Sequence, residues 1–297
     1  MAKNTRKPSV RVNVQVSGDS TSVNVATTGN TTVNVNVDAR RTRKPNGCIL
    51  WRGASRIDGA PIAAILIFRS ENSKTGDMGQ VFIIRTDMSP IEASQLGYDE
   101  SVCGFCVHRG VATTDKNGNP TAKGRSCYVN LGQGPNSVYD ALNRGSYPQA
   151  TDSMLRKELS GRNVRFGSYG DPCAAPIGVW NRLLRFCAGH TGYTHQWRDV
   201  ANQDYRSLVM ASCDSEADRA DAHGMGWRTF RVRLHNQPVM TGEIVCPASP
   251  EGQYRRECDS CMACNGFKRQ GQSDIVIIGH GNPVIMRNVN RNLSTSN

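Results

Sequence analysis

Two patterns of apolar and polar positions divide the chain. Over residues 1–46, valine alternates with asparagine and other polar residues in RVNVQV, SVNV and TVNVNV, with GDST and TTGN between the runs. A period of two is that of a strand, and the intervening turn residues predict hairpins. Valine is the one apolar type in these runs, so the segment buries little surface by itself. It is expected to be disordered or to pair with another chain.

From residue 48 onward the runs become continuous and short. PIAAILIF (61–68), QVFIIR (80–85), NVRFGSY (163–169), SLVMASC (207–213), RTFRVRL (228–234), GEIVCP (242–247) and SDIVIIG (273–279) suit strands buried on both faces. Helix-like stretches at 136–143, 176–188 and 215–225 lie between them, the last with Asp214 or Ser215 as N-cap and acidic residues in its first turn. Strand, helix, strand repetition predicts an α/β body built on a parallel sheet, either open or curled into a full or partial TIM-barrel-like form. The expected organisation is a Val/Asn-rich basic tail (1–46), an α/β body (47–241) and a cysteine-rich C-terminal metal-binding subdomain carrying the last strand (242–297).

Composition narrows the function classes. The chain has 297 residues, 38% of them hydrophobic, with 36 Lys and Arg against 25 Asp and Glu. Its longest apolar run is far short of the roughly 20 residues that span a bilayer, and the first residues lack the apolar stretch of a signal peptide. A cytoplasmic protein with no membrane partner is expected. Residues 1–46 hold eight Lys and Arg against Asp19 and Asp38, and so supply +6 of the net +11. The DARRTRKPNG run at 38–47 is either a solvated linker or a phosphate-contacting patch.

The expected strand ends are polar, and in α/β sheets chemistry sits at strand ends. Asp171 follows VRFGSY, Asp214 follows LVMASC and His280 follows DIVIIG, while TGYTHQW (191–197) reads as a strand with Tyr193, His195 and Trp197 on one side. Asp171, His195 and Asp214 are therefore the candidate catalytic residues, with helix capping as the alternative role for the two aspartates. No G-x4-G-K-[ST], G-x-S-x-G or H-E-x-x-H motif competes.

Eleven cysteines carry the remaining signal. Cys258, Cys261 and Cys264 form C-x2-C-x2-C, and Cys246 precedes a proline, which is the ligand logic of an iron–sulfur site, with a four-thiolate zinc site as the competitor. Cys103 and Cys106 form a second group with Cys127, which would hold a [4Fe-4S] cluster with one open iron. Alternatively, His108 joins these three cysteines in a structural zinc knuckle. Cys48, Cys173, Cys187 and Cys213 sit in apolar or turn contexts and read as small core residues, although Cys173 is close to Asp171 in sequence.

Taken in order, C-x2-C, SCY, RFGSYGDP, HTGYTHQW, MASCDSEADRA, CPAS with C-x2-C-x2-C, and IIGHG resemble a group of phage-encoded proteins. These in turn resemble radical S-adenosylmethionine enzymes of the phage type. The resemblance covers roughly residues 60–281 and departs from the usual C-x3-C-x2-C spacing, which here is C-x2-C-x20-C. It implies that Cys103, Cys106 and Cys127 bind a cluster, that Ser168 (with Asp171, the SxxD strand end) and Tyr128 bind the cofactor, and that S-adenosylmethionine is cleaved on an unknown substrate, such as nucleic acid or a nucleotide. The C-terminal group would then be auxiliary.

Two further readings stand beside this one. In the first, the protein is a zinc-stabilised nucleic-acid-binding protein of phage replication or host takeover. Its cysteines are structural and its contacts come from the basic tail, the RTFRVR strand and Arg255, Arg256, Lys268 and Arg269. In the second, the Val-Asn strands add to a partner's sheet edge.

Overall fold

The computed structural model describes residues 10–17, 20–27, 44–70, 75–266 and 273–295. The chain divides into two compact units, Met1–Lys44 and Pro45–Asn297. In the first, β1 (Val10–Ser17) pairs antiparallel with β2 (Ser20–Thr27), placing Val12 opposite Val25 and Val14 opposite Val23. The third alternating run, TVNVNV, lies outside the described residues.

The second unit opens with β3 (Gly47–Ala54), β4 (Pro61–Ile67) and β5 (Gly79–Arg85). There follow α1 (Pro90–Leu96), α2 (Glu100–Cys103), the small hairpin β6 (Val111–Thr114) and β7 (Pro120–Lys123), and the helices α3 (Gly134–Asn143) and α4 (Asp152–Leu159). Next come β8 (Asn163–Tyr169), α5 (Ile177–Leu184), β9 (Gly189–Thr191), β10 (Tyr193–Thr194) and β11 (Met210–Cys213). The chain continues through α6 (Glu216–Gly224), β12 (Thr229–Arg233), β13 (Glu243–Val245), α7 (Cys258–Cys261), β14 (Asp274–Ile278) and α8 (Pro283–Thr295).

These strands build two five-stranded sheets, which corrects the expectation of a single parallel sheet or partial barrel. The first, in the order β3-β4-β5-β8-β9, is mixed: β3 and β5 flank β4 antiparallel, and β8 and β9 continue parallel to β5. Its antiparallel half follows from loop length. The turn from β3 to β4, closed by Ser55 N–H on the Ala60 carbonyl at 2.8 Å, is too short for a parallel crossover, which takes a dozen or more residues. The second sheet, β10-β11-β12-β14-β13, is wholly parallel, with α6 making the crossover from β11 to β12.

The chain passes from one sheet to the other at Gly192. A Cβ there would lie 2.7 Å from Val209 Cγ1 and 3.2 Å from Phe166 Cβ, so only glycine fits. The main core gathers β4, whose residues Ile62 to Ile67 are all buried, with Val81, Ile83, Phe166, Trp180 and Trp197. In the second sheet Arg231 of β12 reaches over β14 to Glu243 of β13, forming two 2.7 Å contacts between side chains that are each 0% exposed. The arginines of the RTFRVR strand thus face inward. Arg228 donates to the carbonyls of Gly266, Ala263 and Ser273, and Arg233 pairs with Glu251 and the Gln237 carbonyl, so this strand is not the polyanion surface it was expected to be. No helix among the described residues is long and apolar enough to cross a membrane.

Candidate metal centre

The carboxyl ends of β10 and β11 place His195 and Asp214 side by side, as parallel strands do with the residues that follow them. Asp214 is spared capping duty, because Ser215 caps α6 by accepting from Asp218 N–H. The backbone of His195 is held from the first sheet, where Asp171 Oδ2 accepts its N–H at 2.8 Å. Asp171 also accepts from Cys173 N–H at 2.9 Å, capping a short 3-10 turn, so its role is to position.

The third member comes from a loop. Helix α2 stops at Cys103, where Gly104 turns the chain at φ 56°; a Cβ there would strike the Gln196 amide. Arg109 fastens this corner by donating to Asp99 at 2.9 Å and to the carbonyls of Gly97 and Gly104. The β6–β7 hairpin then returns the chain so that Ser126 and Cys127 N–H donate to the His108 carbonyl at 3.1 and 3.0 Å. Helix α8 clasps the same loop: Asn288 donates to the Arg125 carbonyl, and Asn292 to the Val107 and Gly124 carbonyls and to Ser126 Oγ.

His108 Nε2 thereby lies 2.9 Å from Asp214 Oδ1, and His195 Nε2 lies 3.2 Å from Asp214 Oδ2. Among the described residues, this is the one set of three His, Cys, Asp or Glu residues whose ligand atoms all fall within 4.8 Å of one another. Donors around a tetrahedral ion with bonds of ~2.0–2.1 Å are separated by about 3.3 Å, so the spacing suits zinc after small adjustments. Two imidazoles and a carboxylate select a transition ion over calcium or magnesium. His108 Nδ1 meets Ser126 Oγ at 2.7 Å, and that hydroxyl also accepts from Asn292; in the tautomer with the proton on Nδ1, Ser126 Oγ accepts it and Nε2 is free to face an ion.

Charge at the site is strongly coupled. Burial opposes ionisation of Asp214, but His195 and His108 hold its carboxyl far below the usual carboxylate range. Burial likewise disfavours the charged form of His195, yet Cys106 and Asp214 raise its pKa well above that of an ordinary imidazole, and Asp214 raises that of His108. The Cys106 thiol, hydrogen-bonded to His195, is pulled below its ordinary value despite burial. Burial instead raises Cys103 and Cys127.

This arrangement overturns the iron–sulfur expectation. Cys103, Cys106 and Cys127 do not come together within that 4.8 Å limit, and His108 turns to His195 and Asp214 rather than closing a shell with the three cysteines. Cys246, Cys258, Cys261 and Cys264 do not converge within that limit either, so the expected C-terminal metal subdomain is replaced by a segment whose β13 and β14 complete the second sheet. Cys264 is buried beside Met210 and Ile275, with Cys246 packed against them, and burial pushes its thiol up to about 12. No disulfide joins any of the eleven cysteines. Among the described residues no cysteine set meets that limit, so the S-adenosylmethionine reading that was built on one falls too. Ser168 bonds Gln80, and Tyr128 bonds Arg165 and stacks on His280.

TGYTHQW is also not one strand. β10 ends at Thr194, His195 begins a 3-10 turn, and Trp197 is buried with its indole N–H on the Ser212 carbonyl. Sequence reasoning named His195, inside an expected strand, and Asp214, after one, as catalytic candidates rather than metal ligands, grouped His108 with the cysteines, and gave no role to Ser126, Asn288 or Asn292. Two cavities among the described residues lie elsewhere: one of about 550 Å³ is lined by Arg206, Arg219, His223 and Arg228, and one of about 320 Å³ by Arg52, Pro61 and Thr86. No family model, no curated protein and no solved structure matches the chain.

Proposed function

We propose that the chain is a zinc-stabilised nucleic-acid-binding protein. The observation that carries this reading is the convergence of His108, His195 and Asp214 from a loop and two strand ends. An ion there ties the loop to the sheet. The net charge of +11, with eight Lys and Arg in the first 46 residues, favours a polyanionic partner, and the tail is assigned the phosphate contacts.

The test has two parts. Protein purified with zinc should hold about one ion at this site, and His108→Ala or Asp214→Asn should lose it; retention in both variants would contradict the assignment. Binding to a labelled oligonucleotide should weaken steeply with salt. Deleting residues 1–46 should make the log–log slope shallower by roughly 0.7 to 0.9 for each phosphate that the tail neutralises. A salt-independent affinity would contradict the nucleic-acid reading.

A further inference from the structure

Beyond the zinc ligands, a continuous run of aromatic and cationic side chains links both sheets to the loop. Tyr128, one residue past Cys127, stacks on His280 with ring centroids 5.7 Å apart and planes inclined by 28°. Its hydroxyl accepts from Arg165 Nη2 at 2.9 Å. The Arg165 guanidinium lies over the Tyr193 ring at 5.2 Å, and Tyr193 meets Phe230 at 4.3 Å. Five segments of the chain contribute one residue each: the loop, β8, β10, β12 and the end of β14.

Tyr128 is 55% exposed; Arg165, Tyr193, Phe230 and His280 are partly buried, Tyr193 and Phe230 backing onto the Cys264 cluster and so supporting the exposed ring from beneath. Phe105, on the same loop beside Cys106, is 75% exposed. A tyrosine with one face on His280 and half its surface in solvent offers its other face to a further planar group. Interleaved rings and cations are what an unpaired strand requires, since each base presents a π face and each nucleotide a charge.

We propose that Tyr128, His280, Arg165, Tyr193 and Phe230 form a platform for single-stranded nucleic acid, with Tyr128 stacking on a base and Arg165 meeting the adjoining phosphate. The proposal rests on the nucleic-acid reading above and names its substrate class. It also couples the platform to the ion, because Ser126 and Cys127, which bond His108, directly precede Tyr128. A duplex keeps its base faces stacked inward and offers the platform only phosphate.

The experiment uses the zinc-loaded full chain and a labelled oligothymidylate of about 12 nucleotides, within the range that one small binding face covers, alone and as its duplex with oligodeoxyadenylate. Single strand should bind more tightly than duplex. Tyr128→Ala should weaken single-strand binding roughly tenfold and by more than it weakens duplex binding, with zinc content unchanged, and Tyr128→Phe, which keeps the ring, should lose much less than Tyr128→Ala. Equal affinity for both forms, or a Tyr128→Ala protein that binds single strand as tightly as wild type and still in a salt-sensitive way, overturns the platform while leaving the nucleic-acid reading standing. Absence of binding by wild type to either form overturns both. If Tyr128→Ala loses zinc, ultraviolet crosslinking of the intact protein decides: label on Tyr128 or Tyr193 supports the platform, and label confined to residues 1–46 overturns it.

Discussion

Asp214 sits between two imidazoles, and its two oxygens serve one each. Without an ion, the cluster is held together by protons, since His108 and His195 are raised and Asp214 is depressed. The histidines then contribute stability that is full below their unfolded value of ~6.5 and lost as pH rises through their folded values, whereas Asp214 contributes above ~3.9 and loses its share as pH falls. Zinc needs both Nε2 atoms unprotonated, so it competes with those protons. The rise in melting temperature on adding zinc to stripped protein should therefore grow between about pH 6 and pH 8; a rise that shrinks over that range would contradict the site. At the same scale, Ser126→Ala removes the partner of His108 Nδ1 and should weaken zinc affinity about 10- to 100-fold, as measured by competition with a chelator.

Among the elements, the continuous apolar runs were the legible part. β4 and β14 lie within the runs PIAAILIF and SDIVIIG, because continuous burial leaves a continuous apolar record, and β8 lies within NVRFGSY although its burial alternates. Strand direction was not legible: nothing in PIAAILIF distinguishes an antiparallel neighbour from a parallel one, and the short β3–β4 turn decided it. Asp214 was legible because it follows the apolar run of β11, whereas His195 was read within a strand that in fact ends at Thr194. His108 was not legible, because its partner Asp214 lies 106 residues away and is brought within reach by the β6–β7 hairpin and the asparagines of α8. Cysteine spacing misled because spacing along a chain does not fix where sulfurs meet in space. Helix α8 acts as the clasp of the loop, so Asn292→Ala should speed hydrogen exchange at Ser126 and Cys127 and lower zinc affinity. Unchanged exchange there would show that the hairpin holds the loop alone.

Across the molecule, the two sheets are balanced differently. The first has an apolar core around β4, while the second encloses charge, with Arg231 and Glu243 fully desolvated and Arg219 at 3.4 Å from the same carboxylate. Burial opposes ionisation of Glu243, but Arg231 holds it below its ordinary value. Arg231→Ala leaves that buried carboxylate with only the longer Arg219 contact and the Met240 N–H and should cost about 3 kcal/mol in urea denaturation, whereas replacing both Arg231 and Glu243 by apolar residues of similar volume should cost far less. Equal losses in the two variants would show that volume rather than charge sets the cost. In the proposed site one ion joins the loop to the strand ends through the nitrogens of His108 and His195 and the oxygen of Asp214 rather than through a set of cysteine sulfurs. Zinc K-edge X-ray absorption on the loaded full chain tests it most directly: the account predicts a first shell dominated by nitrogen and oxygen at ~2.0–2.1 Å with at most one sulfur, and a shell of four sulfurs at ~2.3 Å would contradict it.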